Sequence, residues 1–427
     1  MNLNKITLSI SMLFVSMNVI GQNEFDNQKL KQIDRVIKNH IDKEHIPGGA
    51  ALIIKDGKLI YENAFGYANV EEKKTLRTDH IFRIASQSKA LTSLGAMMLW
   101  EEGKFFLDDP ISKYIPEFTN PKVLRYYNPK DGSYTTEPAK REITVRDLLR
   151  HTSGIAYPAI FSDATMWEIY EKAGVPSGIG TTKSTLKEIM PILAKQPLQH
   201  HPGKAFTYGL NIDLLGYLIE ILSGKPLDEF MQERVFKPLE MKDTYFHVPS
   251  EKLDRVVSLY EYLPNEKKIK EVNHPIYEGV DANFPLMNGT YHSGGAGLSS
   301  TLQDMAHFYK MYLNEGVYNG KQIVSPKTIA LMLRNQLQPE MMVSSMPPQP
   351  DNFAFSLGGF SLTDGSNAYL SPRSLGSFGW GGAFNTHGWA DPKEMIIALL
   401  FTQEYLSPHF SIGQEFQTAL YQALKKK

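Results

Sequence analysis

The chain has 427 residues, with 45 basic against 46 acidic side chains, so its charge gives no reason to seek nucleic acid or an acidic polymer. It contains no Cys, which excludes disulfides, thiolate catalysis and Cys-ligated metals together and permits an oxidising compartment. A chain of this length can bury a substantial core.

Lys5 precedes an apolar run from Ile6 to Ile20, and Val19 and Gly21 hold the small-residue positions before Gln22. This is the pattern of a signal peptide over 1–21. The competing reading, a membrane anchor, asks for about 20 apolar residues, and this run is shorter. No Cys follows it to accept a lipid. The chain is therefore expected to be exported, to the periplasm or beyond, as a mature part 22–427 without a stable membrane anchor.

Leu30, Ile33, Ile37 and Ile41 recur on one helix face, and Pro47-Gly48 stops that helix. Ala50 to Lys55 and Lys58 to Tyr61 are apolar and β-prone, and Asp56-Gly57 between them favours a two-residue hairpin. Helical patterns follow near 144–151, 183–195, 210–222 and 301–315, separated by Gly- and Pro-containing turns. Strand-like runs return at Phe353 to Leu357 and Met395 to Phe401, and a last helix face runs from Ile412 through Phe416, Ala419 and Ala423. The fold class is α/β (α+β), one layered domain. Its sheet-bearing parts lie at about 22–106 and 353–427, a mainly helical region at about 107–352 is inserted between them, and the ligand cleft is expected where the two meet. Pro121 to Arg141 and Gln336 to Asn352 carry no clear period, and at least one is expected to border the site as a lid or linker.

Ser86 and Lys89 stand in Ile84-Ala85-Ser86-Gln87-Ser88-Lys89, just before an apolar stripe of Leu91, Leu94 and Met98. Three residues apart on a helix is one face, which brings an amine to a hydroxyl near the positive end of the helix. The spacing alone is weak, because Ser184-x-x-Lys187 repeats it beside an ordinary capping box of Thr185 and Glu188.

Five segments in order add specificity: Phe82 to Lys89; His151-Thr152-Ser153-Gly154; Pro202-Gly203 through Tyr208 to Leu215-Gly216; Gly294 to Ser300; and Gly379-Trp380-Gly381-Gly382. Together they resemble the successive motifs of the serine β-lactamase-like family, which includes class C β-lactamases, penicillin-binding DD-peptidases and lipolytic or transesterifying relatives. The resemblance runs from about residue 28 to about 420. It implies the β-lactamase/transpeptidase fold, an antiparallel sheet flanked by helices. It also implies a Ser-Lys-Tyr centre with Ser86 as nucleophile and Lys89 and Tyr208 as the pair that activates it, and oxyanion donors in the backbone amides of Ser86 and Ala383. Trp380, Gly381 and Gly382 then line the substrate site. Such help is chemically required, since a Ser hydroxyl at its free pKa is a poor nucleophile, and an ordinary amine, with pKa about 10.4, is protonated at neutral pH.

Two departures bear on the substrate. Trp380 stands where β-lactamases and DD-peptidases carry a Lys- or His-headed triplet, and indole cannot pair with a carboxylate. Leu210 stands where many members place Asn after Tyr-x. With both residues expected to line the cleft, the favoured substrate is a small neutral acyl ester, or an amide, and the enzyme an esterase; the alternative is a β-lactamase or DD-peptidase. That ranking turns on whether another cation, Lys122, Lys140 or Arg373, reaches the place that Trp380 leaves uncharged.

Other routes fail. No Gly-x-Ser-x-Gly elbow occurs, and Gly316 to Lys321 lacks the spacing of a phosphate loop. There is no His-Glu-x-x-His, and His200-His201 precedes Pro202 in a loop, so no metal and no cofactor are expected. His151 is expected to be a buried hydrogen-bonding residue and His387 to lie near the cleft or on the sheet. Nothing in the sequence fixes the oligomeric state.

Overall fold

The structure, a computed structural model, describes residues 24–158, 163–179, 184–277, 279–343 and 352–425. The expected signal peptide lies outside the described residues. Among those described, no helix is long and apolar enough to cross a membrane.

A seven-stranded antiparallel sheet is drawn from both ends of the chain. Its strands are β1 (Gly48–Lys55), β2 (Lys58–Asn69), β3 (Lys74–Thr75), β4 (Ser361–Leu362), β5 (Phe378–Gly382), β6 (Thr386–Asp391) and β7 (Ile396–Phe401), and they run side by side as β4-β5-β6-β7-β1-β2-β3. The β1–β2 hairpin turns at Asp56 (φ 50°) and Gly57 (φ 74°), the paired left-handed conformation that an Asp-Gly turn supplies. β1 and β7 are buried on both faces, so their side chains divide between two cores: Ala50, Leu52, Leu399 and Phe401 face one way, Ala51, Ile53, Ala398 and Leu400 the other.

The helices are α1 (Asn27–Asp42), α2 (Ser88–Glu101), α3 (Val145–Leu149), α4 (Ala164–Lys172), α5 (Leu186–Ala194), α6 (Asn211–Ser223), α7 (Leu227–Met231), α8 (Leu302–Leu313), α9 (Pro326–Met332) and α10 (Ser411–Ala423). α1 begins where Asp26 accepts hydrogen bonds from the amides of Gln28 and Lys29, a side-chain N-cap. Its apolar face, Leu30, Ile33 and Ile37, shares the second core with Ile412, Phe416 and Leu420 of α10. On the other face α8, although it lies inside the stretch 107–352, packs against β7 and β1. α2 is buried around nearly its whole circumference, from Ser88 to Leu99, as befits a central helix, and it packs on α6.

Phe353 to Leu357 is not a strand. Only isolated bridges form there, Phe355 with Ser361 and Ser356 with Asn335, and burial of Phe355 in an aromatic cluster with Phe206 and Trp380 explains the apolar run instead. Pro121 to Arg141 forms a hairpin of Lys122–Tyr127 with Tyr134–Pro138. The second unassigned stretch reaches the site region, because Met342–Val343 pairs in parallel with Ala205–Phe206, two residues before Tyr208; residues 344–351 lie outside the described ones.

Candidate active site

The short strand Phe82–Arg83 pairs with Ser299–Ser300, and the Ile84 amide donates to the Leu298 carbonyl at 3.0 Å. The chain then turns sharply: Ala85, without a glycine's freedom, sits at φ 40°, a backbone strain that costs about 1–3 kcal/mol and gathers at functional sites. Ser86 follows in the 3₁₀ turn Ala85–Gln87, immediately ahead of α2. Lys89, in the first turn of α2, is fully buried. Its Nζ donates to Ser86 Oγ at 3.1 Å and to the Gly295 carbonyl at 2.8 Å. Ser86 and Lys89 therefore meet as their spacing predicts.

Tyr208 lies on the loop between Ala205–Phe206 and α6. Gly209 beside it packs so tightly on the next loop that a Cβ there would lie 2.1 Å from the Ile155 carbonyl oxygen, which fixes the loop where only glycine fits. The Tyr208 ring stands 4.4 Å from Lys89 Nζ, measured to its centroid, and its hydroxyl accepts a 3.0 Å hydrogen bond from the Trp380 indole. Trp380 thus contributes a directed donor as well as an apolar wall. The structure brings Ser86, Lys89, Tyr208 and Trp380 together from three separate segments.

Gly382 closes β5 against the Ser86 turn. A Cβ on it would meet Ile84 O at 2.4 Å and Thr386 Oγ1 at 2.3 Å, and this close approach sets Ala383 beside Ser86. The amides of Ser86 and Ala383 donate no hydrogen bond among the described residues, and both residues line the cleft. Gly381 is open by contrast, with only Thr386 O, at 3.2 Å, near its missing Cβ.

The cleft encloses about 750 Å³ and runs from Ser86, Tyr208 and Trp380 past Gly379 to Arg373 and Phe410. Leu210 does not line it. Fully buried, it caps the start of α6 and packs over Gly178, so its apolar character serves packing. Lys122 and Lys140 are likewise absent from the lining, whereas Arg373 is part of it.

His151 is buried at φ 57° under the Tyr208 ring, 4.9 Å between centroids, with Nδ1 3.0 Å from the Asn211 amide. Burial and the nearby Lys89 charge hold its pKa well below the usual value, so it stays neutral. His387 lines the cleft, pairs with Asn385 Oδ1 at 2.8 Å, and is pushed down to about 4 by burial. His200 and His201 make separate contacts, to Thr207 Oγ1 and to Glu137, and among the described residues no His, Asp and Glu group is arranged to hold a metal.

One residue escaped the sequence reading. Asp213, in the first turn of α6, is fully buried, and burial raises its pKa to about 6 against the pull of Lys89 and neighbouring hydroxyls. Neither of its oxygens closes a hydrogen bond; the nearby Ser293 hydroxyl donates to Gly178 O instead. A lone acid among Ile212, Leu214 and Leu215 was the available signal.

Comparison with known proteins identifies the family. The family model described as Beta-lactamase matches residues 33–420. The chain is 27% identical over 378 residues to Esterase EstB of Burkholderia gladioli, covering 86% of this chain and 88% of that one. It is also 27% identical over 432 residues to a Salmonella typhimurium protein named, provisionally, a D-alanyl-D-alanine carboxypeptidase, covering 92% and 88%. Among solved structures, EstCE1, "a hydrolase with promiscuous acyltransferase activity", superposes with a TM-score of 0.77 at 26% identity, over 92% of this chain and 99% of that one. With a sheet closed by both chain ends, a helical layer bearing the buried lysine and a family match over most of its length, this chain belongs to the Beta-lactamase family of serine hydrolases.

Proposed function

We propose that the protein is an esterase that forms an acyl-enzyme on Ser86, acting on small esters whose acyl group carries no charge beside the scissile carbonyl. Ser86 Oγ attacks the carbonyl carbon as its proton passes to the Lys89–Tyr208 pair. The amides of Ser86 and Ala383 receive the negative oxygen, preorganised donors of the kind that supply the largest single share of many rate enhancements. Collapse of the tetrahedral intermediate expels the alcohol, which takes the proton back from the pair. Water then repeats the sequence in reverse roles and releases the acid.

The observation that carries the reading is position 380. Relatives named as esterase and as carboxypeptidase are equally identical to this chain, so overall similarity does not choose between them. At 380 the cleft presents an indole engaged with Tyr208. A carboxylate adjoining the scissile bond, as in a β-lactam or a peptide C-terminus, would lose its water there without gaining a cation, at a cost of several kcal/mol.

The test compares kcat/KM for a short-chain nitrophenyl ester, a cephalosporin and a D-alanyl-D-alanine peptide, each corrected for its uncatalysed rate. The ester is expected to show the largest enhancement. Ser86→Ala should abolish both turnover and fluorophosphonate labelling, and Lys89→Ala and Tyr208→Phe should each cost on the order of 10²-fold. A larger enhancement for the cephalosporin or the peptide would move the protein to the carboxylate-recognising branch.

A further inference from the structure

Beyond Gly379 the cleft ends at a cation. Arg373 lies on the segment leading into β5 and lines the cavity wall. Its backbone amide and Nε both donate to Ser371 Oγ at 3.2 Å, and Ser371 in turn donates to Gln417 of α10 at 3.0 Å. The guanidinium is thus fixed on its Nε side. Its two terminal nitrogens make neither a hydrogen bond nor an ion pair among the described residues.

The titratable groups facing it are Asp391, Tyr421 and Tyr309. Asp391 is the one acid among them, and its carboxylate is already engaged by the amides of Ser374 and Glu394 and by the Tyr421 hydroxyl, at 3.0, 3.1 and 2.7 Å. It offers Arg373 a distant counter-charge and no contact. Burial accordingly draws the Arg373 pKa down, the mark of a charge whose lost hydration is incompletely replaced. A guanidinium held in this way presents a fork that matches a carboxylate or phosphate bidentately. The cleft shared by Arg373 and Ser86 is lined by apolar side chains, with His387, Gln414 and Gln417 among the polar ones, and Leu370, Leu406 and Phe410 are 54%, 49% and 43% exposed.

We propose that Arg373 is an anion subsite, and that the preferred substrate is an ester bearing a carboxylate remote from its scissile carbonyl, with an apolar stretch between the two. The proposal rests on ester hydrolysis at Ser86 and refines it: the substrate is neutral at the reacting end and anionic at the far end. A carboxylate on the acyl chain and one on the alcohol share this chemistry, and substrate design separates them.

The experiment measures kcat/KM for two matched pairs: nitrophenyl valerate against nitrophenyl hemiglutarate, with the charge on the acyl chain, and phenyl butyrate against 3-carboxyphenyl butyrate, with the charge on the alcohol. The unmodified enzyme should prefer the anionic member of one pair by tenfold or more, and the responsive pair identifies which side of the ester reaches Arg373. In Arg373→Gln that ratio should fall to near one, and in Arg373→Lys an intermediate ratio should survive. Absence of any preference in the unmodified enzyme, or a preference that persists in Arg373→Gln, overturns the proposal. The unmodified enzyme decides the first point even where a variant fails to fold. Ser86-dependent hydrolysis of the neutral esters without an anionic preference refutes the subsite alone, whereas absence of Ser86-dependent hydrolysis of every ester refutes both readings.

Discussion

Gly382→Ala tests the proposed oxyanion donor at Ala383 separately from Ser86 and Lys89. A Cβ at 382 would stand 2.4 Å from the Ile84 carbonyl oxygen and 2.3 Å from Thr386 Oγ1, while ordinary contact begins near 3.4 Å. The Thr386 hydroxyl can give way only by leaving its 3.0 Å hydrogen bond from Gln87 Nε2. The Ile84 carbonyl cannot, because it is backbone and accepts the Gln87 amide at 3.1 Å to form the turn that carries Ser86. The end of β5 must therefore retreat by about 1 Å, the difference between 3.4 and 2.4 Å. That retreat carries Ala383 with it and widens the gap between its amide and that of Ser86. A misplacement of about 1 Å costs on the order of 10²-fold in rate, and removal of one oxyanion donor costs about 10²–10³.

The expected result is a kcat lower by about 10²-fold, with KM within a few-fold and a stability loss of about 1–3 kcal/mol from overpacking. Steady-state kinetics on a short nitrophenyl ester and denaturant unfolding measure the two effects. Gly381→Ala is the internal control: its methyl enters open cleft, so it should act mainly on KM. A Gly382→Ala enzyme that keeps full kcat would show that the Ala383 amide is not an oxyanion donor. Equal kcat losses at 381 and 382 would show that the effect is general disruption of the strand.

Trp380→Phe keeps the aromatic wall and deletes the 3.0 Å bond to the Tyr208 hydroxyl; on the proposed mechanism, in which the Lys89–Tyr208 pair takes the Ser86 proton, a hydrogen bond to that pair contributes about 1.5–3 kcal/mol, so kcat should fall by tenfold or more while KM for a neutral ester changes little, and an unaltered kcat would show the indole to be wall alone. Asp213→Asn should stabilise the fold in a pH-dependent way. Burial lifts this carboxyl from 3.8 to about 6, so the folded state binds the proton more tightly than the unfolded one. The wild-type penalty is absent below the unfolded value and fully present above about pH 6. Two pH units at 1.36 kcal/mol each give a gain of about 3 kcal/mol for the variant at pH 7.5, vanishing near pH 3.5, as read by urea unfolding; a gain equal at both pH values would contradict it.

Local signals in the sequence located the elements whose causes are local. The Asp56-Gly57 turn, the Leu30 to Ile41 stripe and the Thr185–Glu188 capping box each act over a few residues, and each appears in the structure. Phe353 to Leu357 failed because an apolar run in an aromatic cluster is indistinguishable by period from a buried strand. Leu210 failed similarly: its neighbour Tyr208 faces the cleft, but the chain enters α6 at Leu210 and turns that side chain inward. For the site, the Ser86–Lys89 contact follows from helical spacing, whereas the Trp380–Tyr208 bond joins residues 172 positions apart and depends on sheet closure, which no local pattern encodes. Arg373 was visible only as one of several cations, until the cleft separated it from Lys122 and Lys140.

The distribution of charge along the cleft ties these features together. A Lys or His at 380 would place a cation beside both the scissile bond and Tyr208, and so would serve carboxylate recognition and the proposed proton transfer at once. Tryptophan divides those duties. Its N–H still reaches the Tyr208 hydroxyl, a weaker aid than a full charge, while Lys89 Nζ stays 4.4 Å from the Tyr208 ring centroid and remains the cation in contact with that ring. In our proposal the duty of anion recognition passes to Arg373, which lines the same cavity and precedes β5. The Ser86 turn meets the other end of that strand, at Gly382, so under the same proposal a substrate with its carboxylate next to the scissile carbonyl stays out of reach of Arg373 while its carbonyl sits between the amides of Ser86 and Ala383. One with the carboxylate several bonds away can engage both. On this proposal, moving the positive charge along the cleft changes which ester fits, while Ser86, the buried Lys89 amine and the amides of Ser86 and Ala383 keep their places.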